Sequence, residues 1–140
     1  MNFKINFSIL FLAMFLFLGC KSIKINEFKK QLVTPGFRGG VTKIKYSTTL
    51  ISSKEFKLES VKIEKLDHEI SNVSIIQIPN GTLIDSNKNI KPGNYFIEFS
   101  VLENVIAKES VDTLIISILI DNKKIEFMKN TILVKDLLGK

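Results

Sequence analysis

Cys20 is the only cysteine of the 140-residue chain. A thiol there admits thiol catalysis or covalent lipid attachment, but an intrachain disulfide needs a second cysteine. His68 is also the only histidine, so any Ser-His-acid triad must use it, and no Gly-x-Ser-x-Gly elbow accompanies it. It stands in Asp67-His68-Glu69, without the second histidine or spare cysteine that would complete a usual metal set, so this stretch reads as an exposed loop and no metal is expected. Glu98, Glu103, Glu109 and Asp112 cluster in sequence; a glycosidase needs two such carboxylates facing one another, and carboxylates at strand edges are ordinarily solvated. Pro35-Gly36-Phe37-Arg38-Gly39-Gly40 lacks the preceding strand, following helix and Lys-Ser/Thr of a phosphate loop, and reads as a turn. The sequence therefore predicts no catalytic residue, no cofactor and no enzyme.

The context of Cys20 is more informative. Lys4 is the only charge before Lys21, and Ile5–Leu18 is apolar except for Asn6 and Ser8. A basic start followed by a short apolar run is the pattern of a secretory signal. It is shorter than the roughly 20 apolar residues that cross a bilayer. Leu18-Gly19-Cys20 resembles the lipobox of bacterial lipoproteins. Phe17 stands where that family usually has Leu, with Leu16 one position further out. The resemblance implies cleavage between Gly19 and Cys20, diacylglycerol on the Cys20 thiol and further acylation. Multiple chains hold a protein on a membrane where one only dwells. Lys21 after the cysteine is not the inner-membrane retention signal of Gram-negative lipoproteins, which implies the outer membrane. The other readings are an uncleaved single-span anchor and an ordinary signal with an incidental cysteine.

The net charge of +6 includes Lys4 and is carried by scattered lysines; Arg38 is the sole arginine. Nucleic-acid readers concentrate Arg and Lys with interleaved aromatics, so no nucleic acid is expected. The dispersed lysines read as a solvated surface.

The elements that must position these groups are strands. Residues 20–35 show no strong alternation and read as a lipid-proximal tether, leaving 36–140 as one domain behind the 1–19 signal helix. Ile44 and Tyr46 alternate with Lys43 and Lys45. Phe56 and Leu58 share one parity, Val61 and Ile63 the other, which predicts a β-bulge at Glu59-Ser60. Val73–Ile78 is β-branched, and Asn80-Gly81 predicts a tight hairpin into Leu83-Ile84. Lys91-Pro92-Gly93-Asn94 suits a type II turn. Tyr95, Ile97, Phe99 and Val101 alternate; Leu114, Ile116, Ile118 and Ile120 do so in a strand apolar on both faces. Asp121-Asn122 predicts a two-residue turn into Lys123–Phe127, with Ile125 and Phe127 inward, and Thr131–Val134 adds a last short strand.

About seven strands and no convincing long helix predict an all-β fold, an antiparallel sandwich. Ile90-Lys91-Pro92-Gly93-Asn94-Tyr95 resembles the approach to a late strand in immunoglobulin-like and fibronectin-type sandwiches. The resemblance implies that the Tyr95 hydroxyl ties its corner to the backbone.

The sequence thus predicts a lipid-anchored, non-catalytic interaction or accessory subunit of the bacterial cell envelope. Its partners are the membrane, through Cys20, and other envelope proteins. A polysaccharide or small-ligand module is the alternative, with loops bearing Arg38 and Asn87, Lys88 and Lys91 as its surface; an envelope hydrolase stands third. Asp112-Thr113-Leu114 resembles an acceptor of bacterial general O-glycosylation at Thr113.

Overall fold

The period-two pattern around Tyr46 becomes a strand in which Ile44, Tyr46, Thr48, Leu50 and Ser52 are buried and the residues between them are more open. The same rule organises the rest of the computed structural model, which describes residues 22–66, 69–104, 106–135 and 137–138. The elements are β1 (Ile23–Ile25), β2 (Phe28–Thr34), β3 (Lys43–Ser52), β4 (Lys57–Ile63), β5 (Ser74–Ile78), β6 (Leu83–Ile84), β7 (Gly93–Leu102), β8 (Thr113–Ile120), β9 (Lys123–Leu133) and β10 (Leu137–Leu138). They form one sheet in the order β4-β8-β9-β2-β3-β7-β5-β6, with β1 beside β3 and β10 beside β2.

The chain is all-β, as expected, but its architecture differs from an antiparallel sandwich of about seven strands. Ten strands make a single curled, mixed sheet, a half-barrel. The reason lies in the segment expected to be a tether. Its Phe28–Thr34 enters the sheet between β3 and β9, antiparallel to the first and parallel to the second. This joins what would be two sheets into one. Ile23, Ile25, Phe28 and Lys30 are all buried, so residues 23–34 belong to the domain. The expected signal helix, Gly19 and Cys20 lie outside the described residues.

Some local expectations hold and others are revised. The register of β4 against β8 shifts between Leu58 and Ser60, which face Ile118 and Ser117, so Glu59 is the extra residue of a bulge. Asp121 and Asn122 take φ of 51° and 61°, closing β8 onto β9 with Ile120 opposite Lys123, as a type I′ turn requires. The Asn80-Gly81 hairpin is wider than predicted: only Gly81 is left-handed, at φ 74°, and Gln77 N–H donates to Thr82 O across the loop. Gly93 opens β7 rather than turning a corner. Thr131 to Leu133 continues β9 instead of forming a separate strand.

The core collects inward side chains from both halves of the sheet: Leu58, Val61, Ile63, Leu114, Ile116, Ile118 and Ile120 from β4 and β8, and Ile44, Tyr46, Leu50, Ile75, Tyr95, Ile97 and Phe99 from β3, β5 and β7. Tyr46 stacks on its cross-strand partner Phe99 with centroids 4.9 Å apart. The Tyr95 hydroxyl donates to Lys91 O at 2.6 Å, the backbone tie expected of it.

Candidate functional site

On β2 the parity Phe28, Lys30, Leu32 puts a lysine among inward-facing apolar residues, and the β2–β3 register sets Lys30 beside Tyr46. Opposite them stands Asp112, the last residue before β8. Lys30 Nζ lies 2.7 Å from Asp112 Oδ2 and donates to Ala107 O at 2.7 Å and Ser110 O at 2.8 Å. The Tyr46 hydroxyl donates to the same Oδ2 at 2.7 Å, and Ser110 Oγ stands 3.1 Å from Oδ1. Asp112 N–H donates to Thr131 Oγ1, and the half-exposed Lys65 brings its Nζ to 3.4 Å from Oδ1.

Burial alone pushes the Asp112 carboxyl up. The hydrogen bonds from Lys30 and Tyr46, the Lys30 charge and Ser110 outweigh it and hold the group below the usual carboxylate range. Tyr46 moves far above the usual phenol range, first through burial, then through the hydrogen bond to Asp112 and the repulsion of its charge.

Lysine, tyrosine, serine and aspartate are catalytic residue types, but here the side chains of Lys30 and Asp112 are 1% and 0% exposed. Among the described residues no buried side-chain nitrogen or oxygen lacks a partner. The cluster ties the connection before β8 onto β2 and β3, and beside it a groove of about 200 Å³ is lined by Lys30, Leu32, Lys108, Glu109, Leu133 and Val134.

A pH profile should show it. Asp112 has a lowered folded pKa, so its ionised form contributes stability above the unfolded value of about 3.9 that is lost as pH falls further. Tyr46 has a raised folded pKa, so its contribution is complete below the unfolded value of about 10 and is lost as pH rises beyond it. Urea unfolding across the pH range should give a neutral plateau with a fall on both sides, and Tyr46→Phe should flatten part of the alkaline fall. An alkaline limb identical in the variant would remove Tyr46 from this account.

The residues singled out as ligand loops do not converge. Arg38 lies in the β2–β3 connection, beside the end of β7, whereas Asn87, Lys88 and Lys91 lie near the start of β7. The full length of β3, about 30 Å at roughly 3.3 Å per residue, separates the two groups. All four are exposed. The clustered acids are also dispersed: Glu98 pairs with Lys45 on the outer face at 2.9 Å, Glu103 and Glu109 are exposed, and Asp112 is buried. His68 lies outside the described residues, and among those described no group of His, Cys, Asp and Glu could hold a metal ion. The acid of Asp112-Thr113-Leu114 is consumed by the Lys30 pair, so the folded chain does not display that tripeptide. Tyr46 and Tyr95, the chain's two tyrosines, are 0% and 2% exposed and cannot stack on a sugar.

Several surface grooves are open among the described residues, and two of them bear on these readings. One, about 760 Å³, runs under the Pro35–Val41 loop, over Lys45, Glu98, Asn72 and Ser100. There Gly40 packs so closely on the Pro35 ring that a Cβ has no room, which accounts for the glycine as turn packing. The other, about 650 Å³, lies between β1 and β9 and is lined by Ile23, Ile25, Ile120, Ile125, Phe127 and the lysines Lys24 and Lys129. It corrects the expectation that Ile125 and Phe127 pack fully inward: Ile125 is 40% exposed and Phe127 only half-buried, because the sheet parts beside them.

Fold and grooves together define an all-β domain with a buried polar cluster and open surface clefts. No family model, curated protein or solved structure matches the chain.

Proposed function

We propose that this chain is a lipid-anchored protein of the bacterial cell envelope whose domain is non-catalytic and serves as an interaction or accessory subunit.

 The observation that carries this reading is Leu18-Gly19-Cys20 at the end of a short apolar run, with the sheet starting at Ile23. The three residues from Cys20 to Ile23 span at most about 10 Å, so acyl chains on Cys20 hold β1 close to the head groups, with Lys21 and Lys24 beside them. An outer-membrane position follows from Lys21. The buried polar cluster and the dispersed acids support a domain that binds rather than reacts. The immunoglobulin-like likeness is kept only as the Tyr95 corner, since the sheet order is that of a half-barrel.

Metabolic labelling with a palmitate analogue tests the anchor. The full chain should incorporate label and partition with membranes, and Cys20→Ala should reduce incorporation to background. Label that persists in the variant overturns the assignment. Crosslinking in intact cells, followed by pull-down, tests the accessory role, with recovery of a defined envelope protein as the expected result.

A further inference from the structure

Between β1 and β9 the sheet forks. The β2–β9 pairing covers only Phe28–Lys30 against Thr131–Leu133. Upstream of it, β1 stays on β3, with Ile23 opposite Ser52 and Ile25 opposite Leu50, while β9 stays on β8. Among the described residues no strand pairs with the second edge of β9 over residues 123–130.

The backbone phase of that edge follows from the turn. Across the two-residue hairpin, Lys123, Ile125, Phe127 and Lys129 exchange hydrogen bonds with Ile120, Ile118, Ile116 and Leu114. Lys124, Glu126 and Met128 therefore turn their N–H and C=O groups into the gap. Apolar side chains line it, and its two charged lining residues, Lys24 and Lys129, make no ion pair among the described residues. No acid lines it.

We propose that this gap receives an extended strand of a partner protein, apolar on the face toward Ile23, Ile25, Ile125 and Phe127 and acidic at its margins, which pairs with the free edge of β9 and completes the sheet. A polypeptide strand supplies the partners that Lys124, Glu126 and Met128 lack, which a hydrocarbon chain does not. A second copy offering its own β9 would set Lys123, Lys124 and Lys129 against the same lysines, a like-charge juxtaposition that disfavours it. The proposal rests on the interaction reading and deepens it by stating the partner's chemistry; it does not depend on the anchor.

The test uses the full-length chain in detergent micelles and a synthetic ten-residue peptide alternating isoleucine with glutamate. With peptide at ten times its dissociation constant, amide exchange at Lys124, Glu126 and Met128 should slow about tenfold. The same peptide N-methylated along one edge, or with lysine in place of glutamate, should give no such protection. Glu126→Pro removes a donor that faces the gap while leaving the β8 ladder intact, and should abolish protection without lowering the unfolding midpoint appreciably. The proposal is overturned by absence of protection, by equal protection from the N-methylated or lysine peptide, by peptide-free protection that grows with protein concentration, or by peptide-free protection seen only in acylated protein. Strand binding combined with an empty pull-down would sink the accessory role and leave the strand site standing; the converse would sink the site alone.

Discussion

Asp112→Ala is expected to destabilise the domain by about 3–5 kcal/mol, the cost of leaving one member of a buried ion pair uncompensated. The side chain is fully buried, and its two oxygens gather Lys30, Tyr46, Ser110 and Lys65. Without the carboxylate, Lys30 Nζ keeps the carbonyls of Ala107 and Ser110, which satisfy its hydrogen-bonding geometry but not its charge. The Tyr46 hydroxyl loses its acceptor at the same time. Against a total stability of about 5–15 kcal/mol for an ordinary domain, this is a large fraction, and at the lower end of that range it brings the domain close to its unfolding midpoint. Urea unfolding measures it directly.

The neutral replacement distinguishes a charge effect from a packing effect. Lys30→Met with Asp112→Leu and Tyr46→Phe removes both charges and the orphaned hydroxyl together, and should recover most of the loss, because an apolar set of similar volume can replace a buried pair at little net cost. A single Asp112→Ala variant within about 1 kcal/mol of the parent would show that the cluster does not tie down the connection before β8.

The sequence made legible those features whose cause is local. The bulge at Glu59 follows from a parity change within β4, the Asp121-Asn122 turn from two residues that tolerate positive φ, and the Tyr95 tie from a short motif next to its acceptor. What stayed hidden is non-local. Phe28-Lys29-Lys30-Gln31-Leu32 reads as a polar spacer because its lysines mask the parity of Phe28, Lys30 and Leu32, and a buried lysine makes sense only once Asp112 is known to face it. Parallel pairing of β2 with β9 joins residues about a hundred positions apart, with no turn between them to announce it. The separation of the candidate ligand loops stayed hidden for the same reason: similar composition says nothing about which end of β3 a loop occupies.

Phe28→Ala is the second large effect, expected at about 3–5 kcal/mol from the lost burial and the cavity left behind. Phe28 is 0% exposed, lies opposite Thr131 at the start of the short β2–β9 pairing, and meets Phe99 with ring centroids 6.2 Å apart and planes tilted by 57°. It therefore stands where the two halves of the sheet are joined and where the fork toward β1 begins. Loss of this ring should loosen the junction more than the strands either side, so amide exchange should accelerate first in β2 and in Thr131–Leu133, with the β3–β7 ladder responding only to global unfolding. Phe28→Leu keeps most of the volume and should cost less than about 1.5 kcal/mol. Uniform acceleration across both halves, with no excess at the junction, would mean that Phe28 is an ordinary core residue and that the join is held by the Lys30–Asp112 cluster instead.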